Sequence, residues 1–442
     1  MQIALSEHFT YRKLLRFTLP SVAMMVFTSI YDIVDGFFVS NFVGATPFAA
    51  LNLIFPFVMI IGAVGFMVGV GGTALVSKIL GEGDKKKANE VFSWLIYLLI
   101  AAGTVLSIIG IIFMKQAALL LGADADMLPH CVTYGRILLI GMVPFMLQNV
   151  FQSFLVCAER PKFGLWITVA TGVCNMVLDA LFMAVFHWGI WSAAAATAFS
   201  QLIGGLVPLI YFFSPNKSLL RLVKPVPHMR AVAKACTNGA SEFVTNISYS
   251  IITILYNFQL MKFAGESGVA AFGVLTYTGF IFVAVFLGYA IGSAPLFGFN
   301  HGAKNRSELH NLFGKSMRLI ALAGVILTAV SIAVAYPVSL LYVGYDKSLF
   351  QMTVHGYIIY SFSFLPCGFN IFASSLFTAL NNGLISAVIS FSRTLVFQVF
   401  AIFLLPLLFG LDGVWFANVL AEFLALGVSI FFFVSRKRKY RY

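Results

Sequence analysis

Apolar stretches recur along almost the whole chain, from Leu14 to Val434, and short polar segments separate them at near-regular intervals. A run of about 18 or more apolar residues is long enough to cross a bilayer as a helix, which satisfies its backbone amides within the segment. The pattern predicts twelve such spans: 14–40, 48–79, 89–113, 129–157, 163–186, 190–213, 234–262, 268–299, 316–342, 350–380, 384–408 and 412–434. The expected fold is an all-α polytopic membrane protein.

Composition agrees. The 442 residues are 60% hydrophobic and 10% charged, with a mean hydropathy of +0.95, where soluble chains carry about 25% charged residues. Arg12, Lys13 and Arg16 directly precede the first span, and no cleavable signal pattern is present, so that span is expected to remain as an anchor. Cys131, Cys157, Cys174, Cys236 and Cys367 are scattered and form no CxxC pair, which argues against disulfide or thiolate-metal chemistry.

The net charge of +12 changes meaning once it is placed. All but five of the 28 Lys and Arg residues fall at the amino terminus, in every second loop, or in the terminal "RKRKYRY". The exceptions are Lys115, Lys262, Lys347, Arg136 and Arg393. That alternation orients both termini to the cytoplasm and needs an even span count. The basic loops orient the chain and face membrane lipid; no nucleic-acid partner is expected.

The chain also repeats itself. At one constant offset "GATPFAAL" from Gly44 meets "GESGVAAF" from Gly265, Gly71 meets Gly292, "GEGDKKKANEVF" from Gly81 meets "GAKNRSELHNLF" from Gly302, and Gly189 meets Gly410; one position further, Pro144 meets Pro366. Six spans per half is even, so the halves enter the membrane in the same sense, as parallel repeats do. The predicted organisation is an amino-terminal cation-coupling lobe at 1–213, a cytoplasmic linker at 214–233 and a carboxy-terminal lobe at 234–442. Two similar lobes facing a common cleft suit alternating access. No GxxxxGK[ST] phosphate loop occurs, so an ion gradient rather than nucleotide hydrolysis is the expected driving force. Glycines of "GAVGFMVGVGG", 62–72, are read as a helix-packing face.

Candidate chemistry lies in the charges inside the spans, where an acid costs about 2.5–3.5 kcal/mol on insertion scales. Asp32 and Asp35 share one face of the first span at i, i+3, and Asn175 and Asp179 share one face of the fifth at i, i+4. Thr197 in the sixth adds a hydroxyl. Two adjoining carboxylates cannot both ionise cheaply, so they hold a proton, or else a hard cation such as Na⁺ between their oxygens; the residues suit H⁺ and Na⁺ equally. At the repeat offset, Asp35 faces Tyr256, Asn175 faces Val396 and Asp179 faces Phe400, so the second half lacks this set. Its own charges are Glu242, Arg393 and Glu422, read either as a structural ion pair or as a substrate site. Arg393 is able to pair with either acid, and Glu242 is the preferred contact for a cationic substrate. Pro20 precedes the acid pair in the same helix and is read either as a bend that ion release near Asp35 alters or as a fixed kink that aids packing.

Several segments resemble the multidrug and toxic compound extrusion (MATE) family along essentially the whole chain: "LP…YDIVDGFFVSNFVG", "GVGGTALVSKILGEGD", "CAERPKFG", "NMVLD" and "GIWSAAAATAFSQ". "GASEF" and "SRTLVF" resemble its MepA-like bacterial branch. The resemblance implies a V-shaped pair of six-helix bundles, no enzymatic activity, no cofactor beyond the coupling ion, a monomer, and antiport of H⁺ or Na⁺ against amphipathic, often cationic drugs. It also implies that Asp35, Asn175, Asp179 and Thr197 form the cation site, ranking Asp35 above Asp32. A second cation site, which some branches place on acids of the seventh and tenth spans, lacks its tenth-span acid here. The alternatives are a flippase for a lipid-linked saccharide or similar amphiphile, expected to line its cleft with bases, and a non-transporting receptor or scaffold, which has no need of paired acids.

Overall fold

The computed structural model describes residues 3–43, 45–440 and 442, with the side chains of Ser40, Ala45 and Phe48 excepted. Gly44, one marker of the repeat, and Arg441 of the basic tail lie outside the described residues.

The first half contains α1 (Tyr11–Phe42), α2 (Ala45–Gly81), α3 (Lys85–Leu120), α4 (Leu128–Ile140), α5 (Met142–Cys157), α6 (Pro161–Asp179) and α7 (Ile190–Phe213). The second contains α8 (Met229–Gly302), α9 (Arg306–Val343), α10 (Lys347–Ser361), α11 (Phe364–Ala379), α12 (Gly383–Phe391), α13 (Phe397–Phe409) and α14 (Leu411–Tyr440). Two pairs are single bent spans: α4 and α5 meet at 52°, α10 and α11 at 48°. The repeat-related prolines explain both bends, because Pro144 and Pro366 lie in the first turn after each break and remove a backbone donor there.

Helix α8 is two spans in one. Gly265 interrupts it with φ 61° and ψ −151°, a region open essentially to glycine alone. Gly189 (φ 77°, ψ −164°) and Gly410 (φ 57°, ψ −132°) adopt the same rare backbone just before α7 and α14. With α8 divided, and α12 and α13 joined through a π-helical turn at Ser392–Val396, the described residues form the twelve expected spans.

Glycines also join the halves, in a pseudo-two-fold pattern. A methyl group added at Gly81 would overlap the Phe299 carbonyl, and one at Gly302 would overlap the Lys78 carbonyl. Gly71 lies against Ala235 and Gly239, while Gly292 lies against Thr18 and Ser21. Small residues let helix backbones approach closely, where dispersion contacts replace the missing hydrophobic drive between lipid-immersed helices. Gly65 and Gly69, on the predicted packing face, instead seat Met146 and Val150 of α5. All these lobe-to-lobe contacts lie toward the end bearing the basic loops. The lobes are therefore clasped at the basic end.

A strap ahead of α1 spans the same closed end. Leu5 N donates to Glu159 Oε1 at 2.7 Å in the α5–α6 loop, and Phe9 N donates to Glu308 Oε1 at 2.9 Å on α9. Leu5 and Phe9 are fully buried in the second-half core. Asn381 adds a polar cross-link: its Nδ2 donates to the Ala74 carbonyl of α2, and its Oδ1 accepts from Asn238 of α8.

Candidate functional site

Helix α1 reaches α6 closely because Gly172 leaves room for the rings of Phe27 and Tyr31; a Cβ there would stand 2.6 Å from each. One turn beyond Tyr31, Asp35 comes within electrostatic range of Asp179. Two neighbouring buried carboxyls cannot both carry charge cheaply without a positive species between them. Asp179 is 0% exposed and Asn175 3%. Neither oxygen of Asp179, nor Asp35 Oδ1, nor Asn175 Nδ2 has a hydrogen-bond partner among the described residues.

Buried polar atoms in folded proteins are normally paired, and an unpaired carboxylate is costly. Three such carboxylate oxygens from two helices therefore mark a place prepared for a small positive species. Their oxygen donors fit a proton or a hard monovalent cation; among the described residues no cluster of three or more His, Cys, Asp or Glu suggests a softer metal. Asp179 ends α6, and a π-helical turn, Ala180–Val185, follows it directly. Such turns are rare and recur at functional sites, where they re-aim side chains.

The other expected members lie nearby with different roles. Asp32 is exposed on α1, one turn before Asp35, and Thr197 is half-buried on α7. Tyr134 of α4, which spacing alone did not single out, is buried and within electrostatic range of both Asp35 and Asp179.

In the second half the equivalent place is neutral. Tyr256, the repeat counterpart of Asp35, donates to Gln398 Oε1 at 3.0 Å, and Gln398 Nε2 donates at 2.7 Å to Asn418, the counterpart of Thr197. Corresponding helices thus carry orphaned acids in one lobe and a hydrogen-bonded neutral chain in the other.

The three second-half charges separate. Arg393 sits within the second π-helical turn and donates to Glu422 Oε1 at 2.8 Å and to Cys367 Sγ at 3.4 Å. The remaining Glu422 oxygen accepts from Asn370 at 2.8 Å, and Ser429 Oγ donates to Asn370 Oδ1. Glu242 on α8 is half-buried and makes no ion pair among the described residues.

Two six-span repeats clasped at one end, with unpartnered acids inside one of them, define a membrane protein of the secondary-transporter class. A family model described as MatE matches the chain twice, over residues 20–181 and 243–404, and the chain belongs to that family. It is 22% identical over 435 residues to the multidrug export protein MepA of Staphylococcus haemolyticus (strain JCSC1435), covering 98% of this chain and 95% of the relative. It is 23% identical over 435 residues to MepA of Staphylococcus aureus (strain MRSA252), covering 97% and 94%. Its fold matches a multidrug resistance MATE family transporter of the MOP superfamily solved in an outward-facing conformation, with a TM-score of 0.93, 22% identity, and 99% and 98% of the two chains covered.

Proposed function

We propose that this chain exports amphipathic, often cationic organic compounds from the cytoplasm, in exchange for H⁺ or Na⁺ taken up at Asp35 and Asp179. The observation that carries this reading is the facing acid pair with its unpartnered atoms, set against the neutral Tyr256–Gln398–Asn418 chain in the other lobe. A neutral hydrogen-bonded chain gains little from an ion; a pair of orphaned carboxylates gains a great deal.

In this reading the ion enters the cleft on the open side and joins the Asp35 and Asp179 carboxyls, with Asn175 and Thr197 supplying further oxygens. Neutralising the pair relaxes the repulsion between α1 and α6 and alters the fit of α1, whose Pro20 lies on the same helix. That change biases which end of the cleft is closed, and differential affinity of ion and substrate for the two states links their movements. Glu242, left free of an ion pair, meets the positive group of the substrate. The coupling ion, a cytoplasmic placement of both termini and a bacterial inner-membrane location are parts of the same proposal.

The flippase reading is disfavoured because the buried base Arg393 is neutralised by Glu422, and Arg136 lies exposed on α4. The receptor reading leaves the orphaned acids without a purpose. Proteoliposomes given a fluorescent organic cation in the outside medium, with a pH gradient or a Na⁺ gradient imposed in separate preparations, test the proposal. Accumulation driven by one gradient is expected; none under either gradient refutes coupling.

A further inference from the structure

Where the strap, the start of α1 and the start of α6 meet at the basic end, a recess of about 380 Å³ opens to the surface. Its lining includes Arg16, Arg160 and Lys162, with Phe17, Phe163 and Trp166 beside them. Arg160 caps α6, and its main chain is fully engaged: its N donates to the Leu155 carbonyl at 2.7 Å, and its carbonyl accepts from Phe163 N at 3.0 Å. Its side chain is not. Arg160 Nε is buried and has no hydrogen-bond partner among the described residues.

A buried guanidinium donor left unpaired is costly, and the recess it belongs to holds two further bases that form no ion pair among the described residues. Glu159 lines the same recess, but one of its oxygens already accepts from Leu5 N. We infer that the recess binds the phosphodiester headgroup of an anionic phospholipid. A guanidinium matches phosphate oxygens in a fork, and Arg16 and Lys162, both exposed, supply charge at the rim. The amino-terminal end of α6, with Pro161 at its first position, adds partial positive charge without a side-chain cap.

Two features favour a lipid over a free anion. Trp166 is 69% exposed beside the recess, the place an indole takes at the headgroup level of a bilayer. Phe17, Phe163 and Ile3 give an apolar floor that suits glycerol and the first methylenes but offers nothing to inorganic phosphate. Ile3 belongs to the strap that ties Glu159 to Glu308 of the other half, so an occupied recess also braces the closed end. The inference stands independently of the proposed transport reaction.

The test is native mass spectrometry and thermal unfolding of the purified full-length protein, with phosphatidylglycerol, phosphatidylcholine or inorganic phosphate added. Phosphatidylglycerol is expected to remain bound and raise the melting temperature, with neither effect from the other two. Each charge removed, in Arg160→Gln and in the rim variant Arg16→Gln/Lys162→Gln, should weaken retention about fivefold. The rim variant alone carries the test if Arg160→Gln does not fold. Lys85→Gln/Lys86→Gln, which lowers charge on the same face outside the recess, should retain the lipid. Equal retention by the recess variants, equal loss by the control, or equal protection by inorganic phosphate overturns the inference.

Discussion

Arg393 Nε stands 2.8 Å from Glu422 Oε1, both side chains largely buried at 17% and 6% exposure, and this bond divides the charges of the second half into two kinds. Glu422 is enclosed, with Arg393 on one oxygen and Asn370 on the other. Glu242 remains available. Breaking a buried pair from one side leaves a buried charge without compensation, at a cost of about 3–5 kcal/mol. Glu422→Ala is therefore expected to lower the melting temperature strongly in a fluorescence-monitored unfolding assay. Glu242→Gln should stay within about 0.5 kcal/mol of the parent and weaken cationic substrates more than neutral ones. Equal losses for both substrate classes would make Glu242 structural.

Asp35→Asn and Asp179→Asn each put a neutral amide where two carboxyls now face each other. Substrate-induced ion flux in proteoliposomes should vanish in both, while expression and melting temperature hold or rise, since a buried acid is lost. Asp32→Asn, at the exposed position one turn earlier, should keep a substantial part of that flux. Near-parental flux in the Asp35 and Asp179 variants would remove the coupling role.

The clasp makes a prediction by contrast. A methyl group at Gly239 would overlap the Met67 carbonyl, whereas one at Gly273 meets open space. Overpacking at a helix contact costs about 1–3 kcal/mol. Gly239→Ala should destabilise the protein by that order and slow transport, and Gly273→Ala should do neither. Unfolding curves and initial transport rates of the two variants decide it.

The strap responds to acid. The carboxyl of Glu7 is held below the usual 4.5 by hydrogen bonds from Lys13 and from the Ala4 amide. A folded-state value below the unfolded one means the contact contributes fully above pH 4.5 and is lost as pH falls through the lowered value. Protection of the amides along residues 3–10, taken relative to their intrinsic exchange rates, should fall on acidification, and Glu7→Gln should show lower protection already at neutral pH. Exchange rates in Glu7→Gln equal to the parent's at neutral pH would show that the contact holds nothing.

Much of the architecture was legible one residue at a time. Apolar length located each of the twelve spans, and the shared spacing of Gly189 and Gly410 anticipated a shared backbone. Pro144 and Pro366 were legible as a repeat-related pair, but not as the places where two spans bend by 52° and 48°. The first-half acids were legible because a charge in an apolar run is conspicuous. Tyr134 was not, since a tyrosine in a span is ordinary until its neighbours are known.

What the sequence determined by itself is what depends on local chemistry: which segments enter the membrane, which backbone positions require glycine, and which helix faces carry acids. Tertiary structure alone decided which acid Arg393 chose, that Asp35 meets Asp179 while the equivalent place is a neutral chain, and that the halves clasp at the basic end. The reason is physical. Periodicity assigns a side chain to a face of its own helix, but its partner depends on the angle, depth and rotation at which another helix arrives. Those are set by close packing over many residues at once.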